Sequence, residues 1–126
     1  DILIVAKTQD GDAFGVFTHD RLVRIGRQTL DPDMVLISFE SHGRCPRNKV
    51  FRAMDGVDVG VTVVEGSEHG VVFVGAPDVG GLWLGGSDTA PFCTRLSAVF
   101  SGDCADTVTG SDVGYVCSRV VAIQLE

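Results

Sequence analysis

The segment VVFVGAPDVGGLWLGGSDTAPFCTRL, residues 71–96, constrains the fold of this chain more than any other stretch. A hydrophobic run leads into a glycine-rich break, then into Trp83, the only tryptophan, and then into a polar segment that reaches Cys93. Glycines beside a large aromatic ring are typical of close backbone packing, because a Cβ would clash there. We therefore expect Gly80 and Gly81 to let a neighbouring strand approach a buried Trp83.

Short hydrophobic runs that alternate in polarity and end at turn residues predict an all-β chain. The 126 residues fit a single domain, 1–126, and a hydrophobic fraction of 44% is ample for one core. We predict a two-sheet antiparallel β-sandwich of about seven to nine short strands with little helix. The predicted strands are 2–7, 13–18, 34–39, 49–54, 59–65, 71–74, 82–84, 98–100 and 115–125, the last with Val116, Val120 and Ile123 in the core.

The net charge of the chain restricts the classes of partner that it can bind. Ten Lys and Arg against 17 Asp and Glu give a formal net charge of −7. An acidic surface repels phosphate, which argues against nucleic acid and against anionic membrane surfaces. No apolar run reaches the ~18–20 residues that cross a bilayer, so membrane insertion is not expected.

Basic residues nevertheless cluster in two predicted loops, which are candidate interaction loops. The first contains Arg21, Arg24 and Arg27, and the second contains His42, Arg44 and Arg47. Solvated loop charges are the simpler interpretation of the same pattern.

The cysteine pattern and the first residues of the sequence indicate the cellular compartment of the protein. The first residues lack the basic leader and the long apolar region of a secretory signal, and no CxxC pair is present. We therefore expect a cytoplasmic protein with reduced thiols.

Side chains suited to hydrolysis are present without the pattern of an established active site. A serine hydrolase needs a base bonded to its nucleophile and an acid that orients the base. The candidates are Ser101, the bases His19 and His42, and the acids Asp12, Asp20 and Asp31. No GxSxG motif stands between a strand and a helix. Surface histidines and a Ser-Gly-Asp turn explain the same residues without catalysis.

Cys45 near His42 is a second candidate nucleophile, since Arg44 and Arg47 would favour its thiolate. No third group is identifiable. His42 and Cys45 form one HxxC pair without a partner pair at zinc spacing, and GAPDVGG matches neither GxGxxG nor GxxxxGK[ST]. The sequence therefore predicts no catalytic residue, no metal site and no cofactor.

Several sequence blocks follow one another in a recognisable order. ILIVAKTQDGDAFGVF contains a Phe-Gly step at Phe14 and Gly15, and is followed by MVLISF at 34–39 and KVFRAMDG at 49–56. GAPDVGGLWLGG at 75–86 supplies a glycine-rich turn and a Leu-Trp-Leu strand. This order resembles the TLDc domain, the module of the oxidation-resistance proteins, over nearly the whole chain.

The resemblance continues through GSDTAPFCTRL, which places Cys93 at the cysteine of that family and Leu96 at its aromatic position. RVVAIQLE is a loose counterpart of the last strand. The N-terminal segment of the family and its terminal tryptophan have no counterpart here, and the glycine cluster is shorter.

The resemblance implies a β-sandwich without established catalytic machinery. Family members are linked to protection from oxidative stress and to binding and regulating the vacuolar proton-pumping ATPase. The implied function is a non-enzymatic intracellular protein-interaction module, with subunits of the proton ATPase as the expected partner. The residues implied to carry the family motifs are Phe14, Gly15, Gly80, Gly81, Leu82, Trp83, Leu84 and Cys93.

Two alternatives from other classes stay open. One is a structural or assembly β-sandwich, such as a capsid-like or scaffold protein. The other is a small hydrolase that uses a serine or Cys45. The sequence does not specify an oligomeric state.

Overall fold

Two antiparallel sheets pack against each other in the computed structural model, which confirms the predicted all-β sandwich. The structure describes residues 1–19, 28–43, 46–63, 72–84, 93–94, 96–101 and 117–125. The described strands are β1 (Ile2–Thr8), β2 (Ala13–Thr18), β3 (Gln28–Leu30), β4 (Val35–Glu40), β5 (Lys49–Ala53), β6 (Gly60–Val63), β7 (Val72–Ala76), β8 (Gly80–Leu84), β9 (Cys93–Thr94), β10 (Phe100–Ser101) and β11 (Cys117–Gln124). The helical structure among these residues is one 3-10 turn, Leu96–Ala98.

The strand order places the last strand of the chain at an edge. Among the described residues, one sheet has six strands in the order β10-β5-β4-β2-β1-β11, and the other has five in the order β3-β6-β7-β8-β9. Nothing helical in the described part of the chain has the length and apolarity needed to span a membrane.

Alternation along the strands builds the core between the sheets, because successive side chains of a strand point to opposite faces. On β1 and β2 the inward residues are fully buried, while their neighbours are only partly covered. The largest buried side chains come from both sheets, from the segments next to their strands and from the 3-10 turn: Phe14, Phe51, Phe100, Ile4, Met34, Leu36, Leu82, Leu84, Leu96, Val16, Val59 and Val61.

Most predicted strands have a close counterpart. The exception is 98–100, where a 3-10 turn ends at Ala98 and β10 begins at Phe100. The prediction omitted β3 and β9, which are three and two residues long. Strands this short show no alternation of their own and form through pairing with a neighbouring strand.

One prediction about the core is wrong. Ile123 is 43% exposed, whereas Val120 packs against the core. The two residues are three positions apart on a strand, so they point to opposite faces and only one of them can face the other sheet. Val116 lies outside the described residues.

The expectation of a buried Trp83 between the sheets is also wrong. Leu82 and Leu84 on β8 are buried, and Trp83 between them is only partly buried because it points to the outer face of the five-stranded sheet. The alternation of side chains along a Leu-Trp-Leu strand already predicted that Trp83 lies on the face opposite to the two leucines.

Candidate functional site

A buried aspartate joins the end of β2 to the loop before β4. The carboxylate of Asp31 accepts hydrogen bonds from the Thr18 hydroxyl at 2.9 Å and from the backbone N–H of His19 at 2.7 Å. The imidazole of His19 approaches the same oxygen at 3.3 Å through Nδ1, and the N–H of Asp33 donates to the other oxygen at 3.0 Å. Asp31 is 4% exposed, so these donors replace the water that burial removes.

Burial raises the pKa of Asp31, but the hydrogen bonds from His19, Thr18 and Asp33 outweigh it and hold the pKa below its usual 3.8. Because the pKa of Asp31 is lower in the folded state than in the unfolded state, its ionised carboxylate stabilises the fold at pH values above the unfolded-state pKa. This contribution is lost as the pH falls through the folded-state pKa. The cost of Asp31→Asn in the free energy of unfolding should therefore shrink between about pH 5 and about pH 2.

Urea unfolding at a series of pH values measures this dependence. Asp55→Asn, in the exposed turn after β5, is the matched control. A cost of Asp31→Asn that stays constant over the acid range would contradict the assignment.

The second candidate loop is held by two acidic side chains. Asp12, which is buried, lies 2.7 Å from Nδ1 of His42, and Glu40 accepts the N–H of His42 at 3.0 Å through Oε1. The other oxygen of Glu40 lies 2.9 Å from Nη2 of Arg47. Two of the basic groups of this loop are thus already engaged within the chain. Their side chains nevertheless remain exposed.

Both histidines are therefore oriented by a carboxylate, as the base of a hydrolase would be. The hydroxyl of Ser101 donates to the backbone carbonyl of Arg52 at 3.3 Å rather than to an imidazole. Cys45 and Asp20 lie outside the described residues, as do Arg21, Arg24, Arg27 and Arg44.

The Phe-Gly step of the first motif has a packing role on both faces of β2. Phe14 is fully buried in the core. Gly15 points to the outer face, where a Cβ would collide with the carbonyl oxygen of Ile4 and lie 3.2 Å from the ring of Phe39. Glycine at position 15 therefore allows β2 to pair closely with β1 and lets the ring of Phe39 pack over β2.

The glycines of the longer motif form a row that the sequence did not reveal. Register aligns Gly60 on β6 with Gly75 on β7, and Gly75 with Gly81 on β8. A Cβ at Gly81 would lie 2.6 Å from Cζ of Phe73, so this glycine makes room for the phenylalanine ring and not for Trp83. Gly80 pairs with Ala76 at the start of the same hairpin, and Cys93 pairs with Leu82.

Phe73 and Trp83 form an aromatic pair at paired positions on the outer face of the five-stranded sheet. Their ring centroids are 5.1 Å apart and the rings are tilted by 57°. The turn from Pro77 to Val79 lies beside the two rings. Together these elements enclose an open groove of about 430 Å³, called the aromatic groove below, whose lining includes Phe73, Pro77, Asp78, Val79, Gly81 and Trp83.

A second cavity of about 420 Å³ lies on the other side of the same turn. It shares Asp78 and Val79 with the aromatic groove and adds Asp58, Val57 and Leu30. Both cavities therefore have at least one aspartate in their lining. None of the described Lys or Arg residues lines either cavity.

The edge strand β11 is the other exposed apolar feature. It pairs with β1 along its whole length, and its residues from Val121 onward are exposed on both faces. Val121, Ile123 and Leu125 are 37%, 43% and 40% exposed. Register places Val121 beside Val5 and Ile123 beside Leu3, so this apolar surface continues across the outer face of the six-stranded sheet.

Among the residues that the structure describes, no group of three or more His, Cys, Asp and Glu side chains is arranged to hold a metal ion. Comparison of the chain with models of known families, with curated proteins and with solved structures finds no match.

Proposed function

We propose that this chain is a non-enzymatic, cytoplasmic protein-interaction module of the TLDc type, and that it binds its partner by accepting an extended segment along β11. The observation that carries the proposal is the position of β11 at the edge of the six-stranded sheet, with Val121, Ile123 and Leu125 exposed.

An edge strand presents backbone N–H and C=O groups on the side away from its neighbour, and an added strand can pair with them. In the described sheet, β11 has β1 as its neighbour on one side, which leaves the other side for a partner. Main-chain hydrogen bonds would supply affinity there, and alternate side chains would supply specificity.

The composition of β11 favours such a role. Natural proteins protect edge strands with charges, prolines or short length. Over the eight residues of β11, CSRVVAIQ, Arg119 is the only charged residue and proline is absent. A long apolar edge of this kind marks an interaction surface.

The resemblance to the TLDc family suggests the identity of the partner. It supports a subunit of the vacuolar proton-pumping ATPase as the ligand and protection from oxidative stress as the physiological setting. Because His42 and Arg47 already contact acidic side chains of this chain, the second basic loop is a weaker candidate than β11 for the primary contact.

A pull-down with purified subunits of the proton ATPase tests the proposal. We expect a subunit to be enriched by the wild-type chain and lost with the double variant Val121→Lys, Ile123→Lys. Val50→Lys is the matched control, since Val50 is 40% exposed on the same outer face but lies on β5, which β4, β2 and β1 separate from β11.

Melting temperatures of all three proteins should agree, because the substituted positions are exposed. Absence of any enriched pump subunit would overturn the identity of the partner. Equal loss of binding with Val50→Lys would overturn the role of β11.

The assembly alternative rests on the same edge, because β11 could also pair with β11 of another copy. Light scattering separates the two functions. A mass that stays monomeric at all concentrations favours the interaction module, and large closed assemblies that the double variant dissolves would favour the scaffold.

A further inference from the structure

We propose that the aromatic groove binds an arginine side chain of an extended partner peptide. This site lies on the five-stranded sheet, at the turn end of the β7–β8 hairpin, and does not depend on strand addition at β11.

The aromatic half of the site is Trp83 with Phe73. Both rings occupy the outer face, because the residues on either side of them point into the core. Trp83 is partly exposed and lines the groove. A guanidinium group stacks on an indole through its planar charge, and tryptophan is the strongest of the aromatic partners for a cation.

The acidic half is the carboxylate of Asp78, on the exposed turn that forms one wall of the groove. Asp58 supplies a second carboxylate in the adjoining cavity. Neither cavity has a Lys or Arg among its described lining residues, so the charge of the described lining is negative and complementary to a cation.

Arginine fits this pair of groups better than lysine does. Its flat guanidinium can stack on a ring and donate two parallel hydrogen bonds to one carboxylate, whereas an ammonium is a compact and strongly hydrated charge. The linings of the two cavities share the turn from Pro77 to Val79, so a peptide whose arginine occupies the groove would continue along this turn.

The single tryptophan makes the site directly observable. The probe is a capped pentapeptide with a central arginine between glycines and serines, titrated while the fluorescence of Trp83 is recorded. We expect a saturable change that weakens as salt is raised. The same peptide with citrulline, which keeps the shape and removes the charge, should bind about tenfold more weakly or not at all.

Variants separate the two halves of the site. Asp78→Asn should weaken the arginine peptide about tenfold without moving the melting temperature. Asp55→Asn, an exposed aspartate in a turn outside the groove, is the matched control and should bind as the wild type does. Trp83→Leu, followed by calorimetry because it removes the fluorophore, should abolish binding.

Other outcomes would overturn the proposal. These are an equal response to the citrulline peptide, an equal loss with Asp55→Asn, or no saturable signal at all. Concentration-dependent self-association that Trp83→Leu abolishes would instead assign the groove to a second copy of the chain. The double variant Val121→Lys, Ile123→Lys should leave arginine binding unchanged, so failure of the pump interaction and failure of this site can be told apart.

Discussion

Phe14→Ala is expected to lower the free energy of unfolding by about 3–5 kcal/mol, because it removes a large aromatic side chain from the centre of the core. Phe14 is fully buried on β2, where the two sheets face each other. The rigid pairing of β2 with β1 and β4 limits how far the neighbours can collapse into the cavity. Chemical denaturation monitored by circular dichroism measures the loss.

Phe17→Ala is the matched control on the same strand. Phe17 points to the opposite face, is partly buried, and contacts His19 edge to face with ring centroids 5.0 Å apart. Its truncation should cost roughly half as much, since it loses less buried area and leaves a site open to solvent. Equal costs for the two phenylalanines would contradict the assignment of the faces of β2.

Gly75→Ala has the second largest expected effect, a loss of about 3 kcal/mol or more. Gly75 lies within β7 at φ = 143°, a backbone conformation that residues with a Cβ rarely adopt. A Cβ there would also collide with the carbonyl oxygen of Gly80 and lie 2.6 Å from Cα of Gly81. These atoms belong to the paired backbone of β8 and cannot move without breaking the ladder.

Gly56→Ala isolates the first of these two causes, the backbone conformation. Gly56 also has a positive φ, of 79°, but nothing lies within 4 Å of the position its Cβ would take. Its cost should be about 1–2 kcal/mol, from the conformation alone. The thermal and urea unfolding of both variants tests the difference. A cost at Gly75 no greater than that at Gly56 would show that β7 and β8 separate easily.

Gly75→Ala also tests the geometry of the aromatic groove. Gln28 donates from Nε2 to the carbonyl of Gly75 at 3.1 Å, so a shift of β7 would disturb the contact with β3 as well. Because Phe73 and Trp83 sit on the strands that Gly75 holds together, we expect the fluorescence of Trp83 in the folded state to change in this variant.

Strand positions in the six-stranded sheet were predictable because alternation is a local property. The runs in β1, β2 and β4 are long enough to show a period of two, and turn residues bound them. The same rule, applied to Leu-Trp-Leu, places Trp83 opposite its leucine neighbours. The incorrect expectation came from giving the glycines more weight than the period.

The contacts within the candidate sites were harder to predict from the sequence, because each depends on pairing between distant segments. Asp12 and His42 are 30 residues apart and meet because β2 pairs with β4. The hydrogen bonds of Asp31 similarly unite the end of β2 with the loop before β4. The sequence identified these histidines and aspartates as candidates, but only the strand register showed which of them contact each other.

The sequence by itself determined the β-sandwich class, most of the strands and the residues available for the core, because these follow from composition and local periodicity. Only the tertiary structure decided that β11 lies at an edge of the described sheet, that Gly60, Gly75 and Gly81 align across three strands, and that Ile123 faces solvent. The reason is physical: burial and register depend on which strand lies beside and opposite each residue. Those neighbours come from distant parts of the chain.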